Sequence, residues 1–439
     1  MTFTLGNLLF LAIVVFAIGW FTRNVIRIRR NILLGRPEDR SDRKGERWAI
    51  MARVALGQSK MMMRPVAGIM HILVYLGFII INIEVLEILI DGIFGTHRLF
   101  AFLGTAYDVL IGSFEILALL VIVGCVVFIL RRWAVRIRRF WGYEMTSGPQ
   151  RDAAVILVSE ILLMLAFLNW NAADQVLAQR GVVPYIQAGA FPISSLLQPF
   201  YTSFGDAQLV VMERFYWWFH ILGILAFMNY LVISKHLHIV LAFPNVFYSK
   251  LRPRTEFKNM DRVTEEVKLM LDPSLPPPPP PDPEAAPERF GAKDVFDLSW
   301  KSLLDSYSCT ECGRCSSECP ATITGKLLSP RKIVMNTRDR VEEVGRNIDR
   351  NGKFEDDGKD LHSWISAEEL WACTTCNACT LACPVNIDPV AVIMEMRRYL
   401  VMEQSSTRPA LTAMFNNVEN NGAPWAYGAS ERMKWAEGE

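Results

Sequence analysis

The sequence predicts an all-α protein in two parts, a five-helix transmembrane bundle followed by a soluble α-helical domain, and three observations lead there. Apolar residues make up 51% of the chain, and they gather in runs long enough to cross a bilayer. Basic residues concentrate in alternate loops between those runs. Beyond the last run, eight of the nine cysteines fall into two copies of one spacing.

The apolar runs predict spans near 4–22, 66–91, 107–130, 153–171 and 215–242. The segment 184–204 is also apolar, but Pro184, Pro192, Pro199 and Gly205 break it, so an interfacial or re-entrant loop is expected. The first span is no secretory leader: no positive charge precedes it and no small-residue cleavage site follows. Residues 23–64 hold twelve Lys or Arg against four acids, residues 131–152 six against two, and residues 235–262 six more bases. The loops 92–106 and 172–207 carry one Arg each, Arg98 and Arg180. The positive-inside rule then puts the N-terminus outside and the C-terminal part in the cytoplasm, in the inner membrane of a bacterium or archaeon. Basic residues confined to one side explain the charge without nucleic acid, which is not expected as a partner.

These features divide the chain into a membrane domain over 1–245, a linker over 246–289, a helical cysteine domain over 290–405 and a tail over 406–439. Within the linker, residues 276–281 are six consecutive prolines, a stiff spacer of about 3 Å per residue expected to hold the soluble domain off the membrane. Helical periodicity over 328–348 and 387–402 surrounds the cysteines.

The cysteine runs are Cys309-x2-Cys312-x2-Cys315-x3-Cys319-Pro320 and Cys373-x2-Cys376-x2-Cys379-x3-Cys383-Pro384. This is the ligand run of a two-cluster [4Fe-4S] protein, in which three thiolates hold one cubane and the fourth crosses to the other. Cys309, Cys312, Cys315 and Cys383 are therefore assigned to one cluster, and Cys373, Cys376, Cys379 and Cys319 to the second. Zinc sites and disulfides need neither this order nor the prolines.

Histidine is scarce, with six in the chain, so its placement in the spans is informative. His71 and His238 are expected at one depth on two different helices, as bis-histidine ligation of a b-type haem requires. If the fifth span is continuous to Ala242, His220 and His238 share one face about 27 Å apart, with His236 off it. A second haem would take His220, with His97 in the loop after Gly95-Thr96 as its remaining candidate partner. A buried histidine can also be an ordinary hydrogen-bonded core residue, but ionisable groups in spans are costly and usually functional. Asn82, Glu84, Glu87, Asp91, Glu115 and Glu160 are read either as carriers of quinone protons or as interhelical hydrogen-bonding groups. Cys125 is read as a packing residue, Met61 to Met63 as an interfacial helix start, and Arg64 as a basic anchor able to meet a haem propionate.

The five spans, His71, and His220 through Ser234-Lys235-His236-Leu237-His238 resemble the cytochrome b subunit of respiratory nitrate reductases and the membrane subunit of heterodisulfide reductases. The soluble part is similar to the iron–sulfur subunit of heterodisulfide reductases. It also resembles that of anaerobic glycerol-3-phosphate dehydrogenase and membrane oxidoreductases fed by electron-transfer flavoprotein. The chain thus reads as a membrane cytochrome b fused to a two-[4Fe-4S] ferredoxin-like domain. The resemblance implies quinone chemistry and two haems b. Ile81 stands where the nitrate reductase subunit has its fourth haem ligand, and no cysteine follows Cys383 to build the catalytic repeats of heterodisulfide reductases. The expected function is electron transfer between membrane quinone, haem b, two clusters and a soluble redox subunit, either a cysteine-rich iron–sulfur protein or a flavoprotein. The catalytic residues are expected on that other chain. The alternative is a membrane-anchored redox sensor or scaffold, which has no need of paired membrane histidines.

Overall fold

Five helices are long and apolar enough to cross a membrane: α1 Leu5–Ile32, α2 Pro65–Phe94, α3 Thr105–Ala134, α4 Ser147–Gln179 and α5 Asp206–Leu231. The structure, a computed structural model, describes residues 4–253, 255–276 and 289–438, and among these every regular element is helical. Each span has a local cause. The Thr4 N–H donates to Asn7 Oδ1 (2.8 Å) at the start of α1, Pro65 opens α2, and Gly95 closes α2 at φ 68°, a left-handed turn that glycine adopts without strain. Large apolar side chains such as Val15, Phe16, Leu86, Val109 and Phe215 remain exposed on the outward faces, where lipid is the solvent that suits them.

The helices run past the apolar stretches that announce them. In α4, residues 147–152 and 172–179 extend the predicted span, and the second extension is held by Arg98, which donates to Asn171 Oδ1 (3.1 Å) and Asp174 Oδ2 (2.7 Å). Close approach of α2 and α3 rests on Gly77, where an added Cβ would lie 2.5 Å from Val121 Cγ2. The segment 184–204 is broken as expected, into short turns at Ser194–Leu197 and Gln198–Tyr201.

The fifth span departs from expectation. It ends at Leu231 rather than continuing to Ala242. Ser234 adopts extended backbone and its side chain accepts the His236 N–H, which caps a new turn, Lys235–Leu237, before the helix His238–Phe247. Contacts across the chain fix this break, since the Lys235 N–H donates to Asp152 Oδ2 at 3.1 Å. His220 and His238 therefore lie on different helices, and the argument from a shared helical face does not apply.

The cysteine domain does not stand away from the spans. Ile28 and Ile32 of α1 lie in one apolar core with Leu303, Leu304, Val341 and Met396. Asn31 donates to Tyr307 Oη (2.9 Å), and a Cβ on Gly345 would fall 2.6 Å from Asn31 Oδ1, so the last turn of α1 is seated on the helix Pro330–Asn351. A spacer role for the proline run is thus not required by this packing; residues 277–281 lie outside the described residues. Arg340, wholly buried on the same helix, meets Asp294, Glu343 and Asp357 at 2.7, 2.9 and 2.6 Å. Arg340→Met leaves these carboxylates facing one another and is expected to cost about 3 kcal/mol, read as a lower thermal midpoint of the detergent-solubilised chain.

Candidate functional site

The two cysteine runs fold as one backbone motif used twice. In each, the second residue after the leading cysteine is left-handed, Glu311 at φ 55° and Thr375 at φ 57°, and so is the fourth, Gly313 at 69° and Asn377 at 58°. These turns curl the loop around its own sulfur: the N–H of Glu311 points to Cys309 Sγ and that of Thr375 to Cys373 Sγ, both at 3.4 Å. Glycine is required at 313, where a Cβ would sit 2.5 Å from Arg331 Nη1, whereas Asn377 holds the same conformation by donating to the Thr375 carbonyl at 3.0 Å. Short helices, Arg314–Ser317 and Ala378–Ala382, then lead to Cys319 and Cys383, each in extended backbone before its proline.

Two cavities result. One is lined by Cys309, Cys312, Cys315 and Cys383, the other by Cys319, Cys373, Cys376 and Cys379, so the last cysteine of each run faces the other run's cavity. None of the eight is in a disulfide. Burial pushes the Cys309 and Cys379 thiols up to about 12 and Cys383 up to about 11, so these sulfurs stay protonated unless a metal displaces the proton. Among the described residues no group of three His, Cys, Asp or Glu is gathered tightly enough to hold a single metal ion. The first cavity borders the membrane part: Cys309 and Cys383 share an apolar cluster with Val54, Ala55 and Val246. In the second, Cys376 is exposed.

His71 on α2 and His238 have ring centres 6.3 Å apart with planes at 44°. Two imidazoles bound to one metal through nitrogens at about 2 Å hold their centres roughly 6 Å apart. The His238 Nδ1–H donates to the Lys235 carbonyl (3.0 Å), which leaves Nε2 for a ligand, and His71 Nδ1 is buried without a partner. His236 turns away, its Nε2 3.4 Å from Glu160 Oε1.

His97 and His220 are not brought together. His220 Nδ1 donates to the Leu163 carbonyl at 2.9 Å, while His97 Nε2 lies 3.0 Å from Asp174 Oδ1 and its ring meets Tyr185. Leu163 and Asp174 are eleven positions apart on α4, roughly 16 Å along its axis, too far for one iron. Ile81 is buried in the same apolar core as Ile221. Most acidic residues of the spans serve as hydrogen-bonding groups: Glu87 accepts from Tyr107 (3.0 Å), Glu115 from the Ile193 N–H (2.9 Å), and Asp174 from Arg98 Nε (2.7 Å). Glu84 differs, buried with neither carboxylate oxygen bonded. Cys125 donates to Glu160 Oε2 at 3.3 Å, and Arg64 pairs with Glu318 at 2.8 Å.

Sequence reading gave no site role to Lys235, Glu311, Arg314, Arg331 or Arg338. Glu311 is held by Lys235 (2.5 Å) and Arg338 (3.0 Å), and its carbonyl accepts from Arg331 (3.3 Å). The signal that could have found two of them is a difference between the runs: Glu311 and Arg314 stand between the first three cysteines of the first run, where the second has only small or polar uncharged residues.

Residues 308–387 match a 4Fe-4S dicluster domain. The chain is 27% identical to a probable iron–sulfur-binding oxidoreductase, FadF, of Bacillus subtilis over 99% of its own length and 61% of that protein. It is 26% identical to an EtfAB:quinone oxidoreductase of Syntrophomonas wolfei over 87% of its length and 52% of that protein. A component of the ferredoxin/F420H2-dependent CoB-CoM heterodisulfide reductase of Methanosarcina acetivorans is 32% identical over 26% of this chain and 56% of that component. The chain thus spans between half and two thirds of these relatives. No solved structure matches it. The homologues are oxidoreductases or a component of one, and the iron–sulfur-binding FadF together with the dicluster domain supports 4Fe-4S clusters here.

Proposed function

We propose that this chain is the membrane electron-transfer subunit of a quinone-linked oxidoreductase. In this reading His71 and His238 hold one haem b, Cys309, Cys312, Cys315 and Cys383 one [4Fe-4S] cluster, and Cys319, Cys373, Cys376 and Cys379 the second. When bound, each of these groups accepts and releases one electron at a time. The observation that carries the reading is the bridge made by Lys235. Its carbonyl takes the His238 Nδ1–H (3.0 Å), its ammonium reaches Glu311 (2.5 Å), and the Glu311 N–H points to Cys309 Sγ (3.4 Å). One residue thus orients a histidine and a cysteine loop toward each other, fixing the distance an electron would cross.

The remaining residues exclude water and hold position. Val54, Ala55 and Val246 pack in one apolar cluster with Cys309 and Cys383, and Asn245 donates to the Val385 carbonyl (2.9 Å) to hold the loop after Cys383. The basic loops and the cysteine domain occupy the same end of the bundle, which we assign to the cytoplasm. The name of the Syntrophomonas wolfei relative couples a protein partner to quinone, which supports quinone in the membrane and a soluble redox partner at the cysteine domain. The chain purified from its native membrane in mild detergent is expected to show a b-type reduced-minus-oxidised spectrum, to be reduced by added quinol, and to bring a soluble redox subunit in near-stoichiometric amount. Membranes carrying the chain without haem absorption would remove the His71–His238 assignment, and turnover of an organic substrate by the chain alone would remove the subunit reading.

A further inference from the structure

The two cysteine loops share a backbone but not a charge environment. Arg314 and Arg331 line the first cavity, and no charged side chain lines the second. Arg331 is balanced by Glu144, with Nη2 2.7 Å and Nε 2.9 Å from Oε1. Arg314 instead donates to neutral acceptors, the Lys60 carbonyl (3.1 Å) and Met61 Sδ (3.6 Å). The acid of the first loop, Glu311, is itself held by two cations, Lys235 and Arg338. Near the second cavity, Arg397 donates to the carbonyls of Leu370 (2.6 Å) and Cys373 (2.5 Å), and Asp388 accepts from Thr380 (3.2 Å), so one cation is set against one acid.

Amide donors to sulfur follow the same order. Among the described residues, amides reach the first site from Glu311 to Cys309 (3.4 Å) and from Ile387 to Cys383 (3.3 Å), and the second from Thr375 to Cys373 (3.4 Å). Reduction adds a negative charge, so a cation lining the cavity and N–H donors to its sulfurs both favour the reduced state and raise the potential. Water at the exposed Cys376 and the half-buried Cys373 acts in the same sense on the second site, but Cys312 and Cys315 of the first site are half-buried too, and there the Arg314 guanidinium adds a full charge to the cavity lining.

We propose that Arg314 sets the first cysteine site at a higher reduction potential than the second, so that electrons enter at the Cys376 edge and run toward the membrane. This rests on the assignment of two clusters in the preceding section, and it adds the direction. The donor is then a soluble one-electron carrier that reaches the exposed Cys376 edge, and quinone is the acceptor. For each quinone reduced to quinol, two electrons leave the donor and two protons are taken from water.

The test is an anaerobic redox titration of the full chain in detergent, followed by electron paramagnetic resonance. Two [4Fe-4S] signals are expected, and the one that survives Cys319→Ser should titrate at the higher potential. Arg314→Gln should shift that signal downward and leave the other in place, and Arg314→Lys should restore most of the shift. The order measured on the wild type and Cys319→Ser stands even where Arg314→Gln does not assemble. A surviving signal at the lower potential overturns the direction, and Arg314→Gln moving both signals together or neither overturns the role given to Arg314, with two clusters in place in either case. Absence of any [4Fe-4S] signal removes the cluster assignment and the direction with it.

Discussion

Cys319→Ser is expected to lower non-haem iron from about eight to about four atoms per chain, and the lost signal should be the one that Cys373→Ser also removes. The reason is spatial. Cys319 closes the first run in sequence but faces the cavity of Cys373, Cys376 and Cys379. Its extended backbone and the following proline, which opens the turn Pro320–Ile323, carry the sulfur away from Cys315. The reciprocal change, Cys383→Ser, should spare the signal of the second run and remove that of Cys309, Cys312 and Cys315. Each substitution leaves three thiolates around its site, so partial occupancy at that site is acceptable and loss at the other is not. If Cys319→Ser instead abolished the signal shared with Cys309→Ser, the crossed arrangement would be wrong. A wild type holding about four iron atoms beyond haem would remove the second cluster altogether.

Much of this site was legible because both of its signals are local. A left-handed residue two and four positions after a cysteine follows from a loop that must wrap its own sulfur, and the spacing records that requirement even where Gly313 is replaced in the repeat by Asn377. The spans were legible for the same reason, since a bilayer imposes length and polarity on a single segment. What the sequence hid depends on partners far along the chain. The end of α5 at Leu231 follows from Asp152 and Glu311 drawing Lys235 out of helical register, and no periodicity within residues 215–242 announces it. Arg98 read as a lone base in a loop, yet it is buried against Asp174 and Asn171 of α4 and completes that helix's polar extension. The seating of α1 on the cysteine domain was hidden too, because Arg27 and Arg30 look like membrane anchors until Asp349 is placed beside them.

Replacing either His71 or His238 by alanine is expected to remove one and the same low-spin b-type haem signal, while His236→Ala keeps it. The inference no longer needs a continuous fifth span. It needs the ring separation of 6.3 Å and the tautomer set by Lys235, whose carbonyl takes the His238 Nδ1–H and leaves Nε2 for a ligand. His236, two residues away, has its ring 5.4 Å from that of His238 but its Nε2 3.4 Å from Glu160 Oε1. Removing His236 frees Glu160 from that contact, with Cys125 still hydrogen-bonded to it, so the expected change is a modest shift in the signal and not its loss. His220→Ala should leave this signal intact, because its Nδ1–H is donated to the Leu163 carbonyl on a different stretch of the bundle. Loss of the low-spin signal in His236→Ala with retention in His238→Ala would reassign the ligand. It would also mean that the Lys235–His238 hydrogen bond orients a bystander, and that the connection from Lys235 to Glu311 serves packing alone.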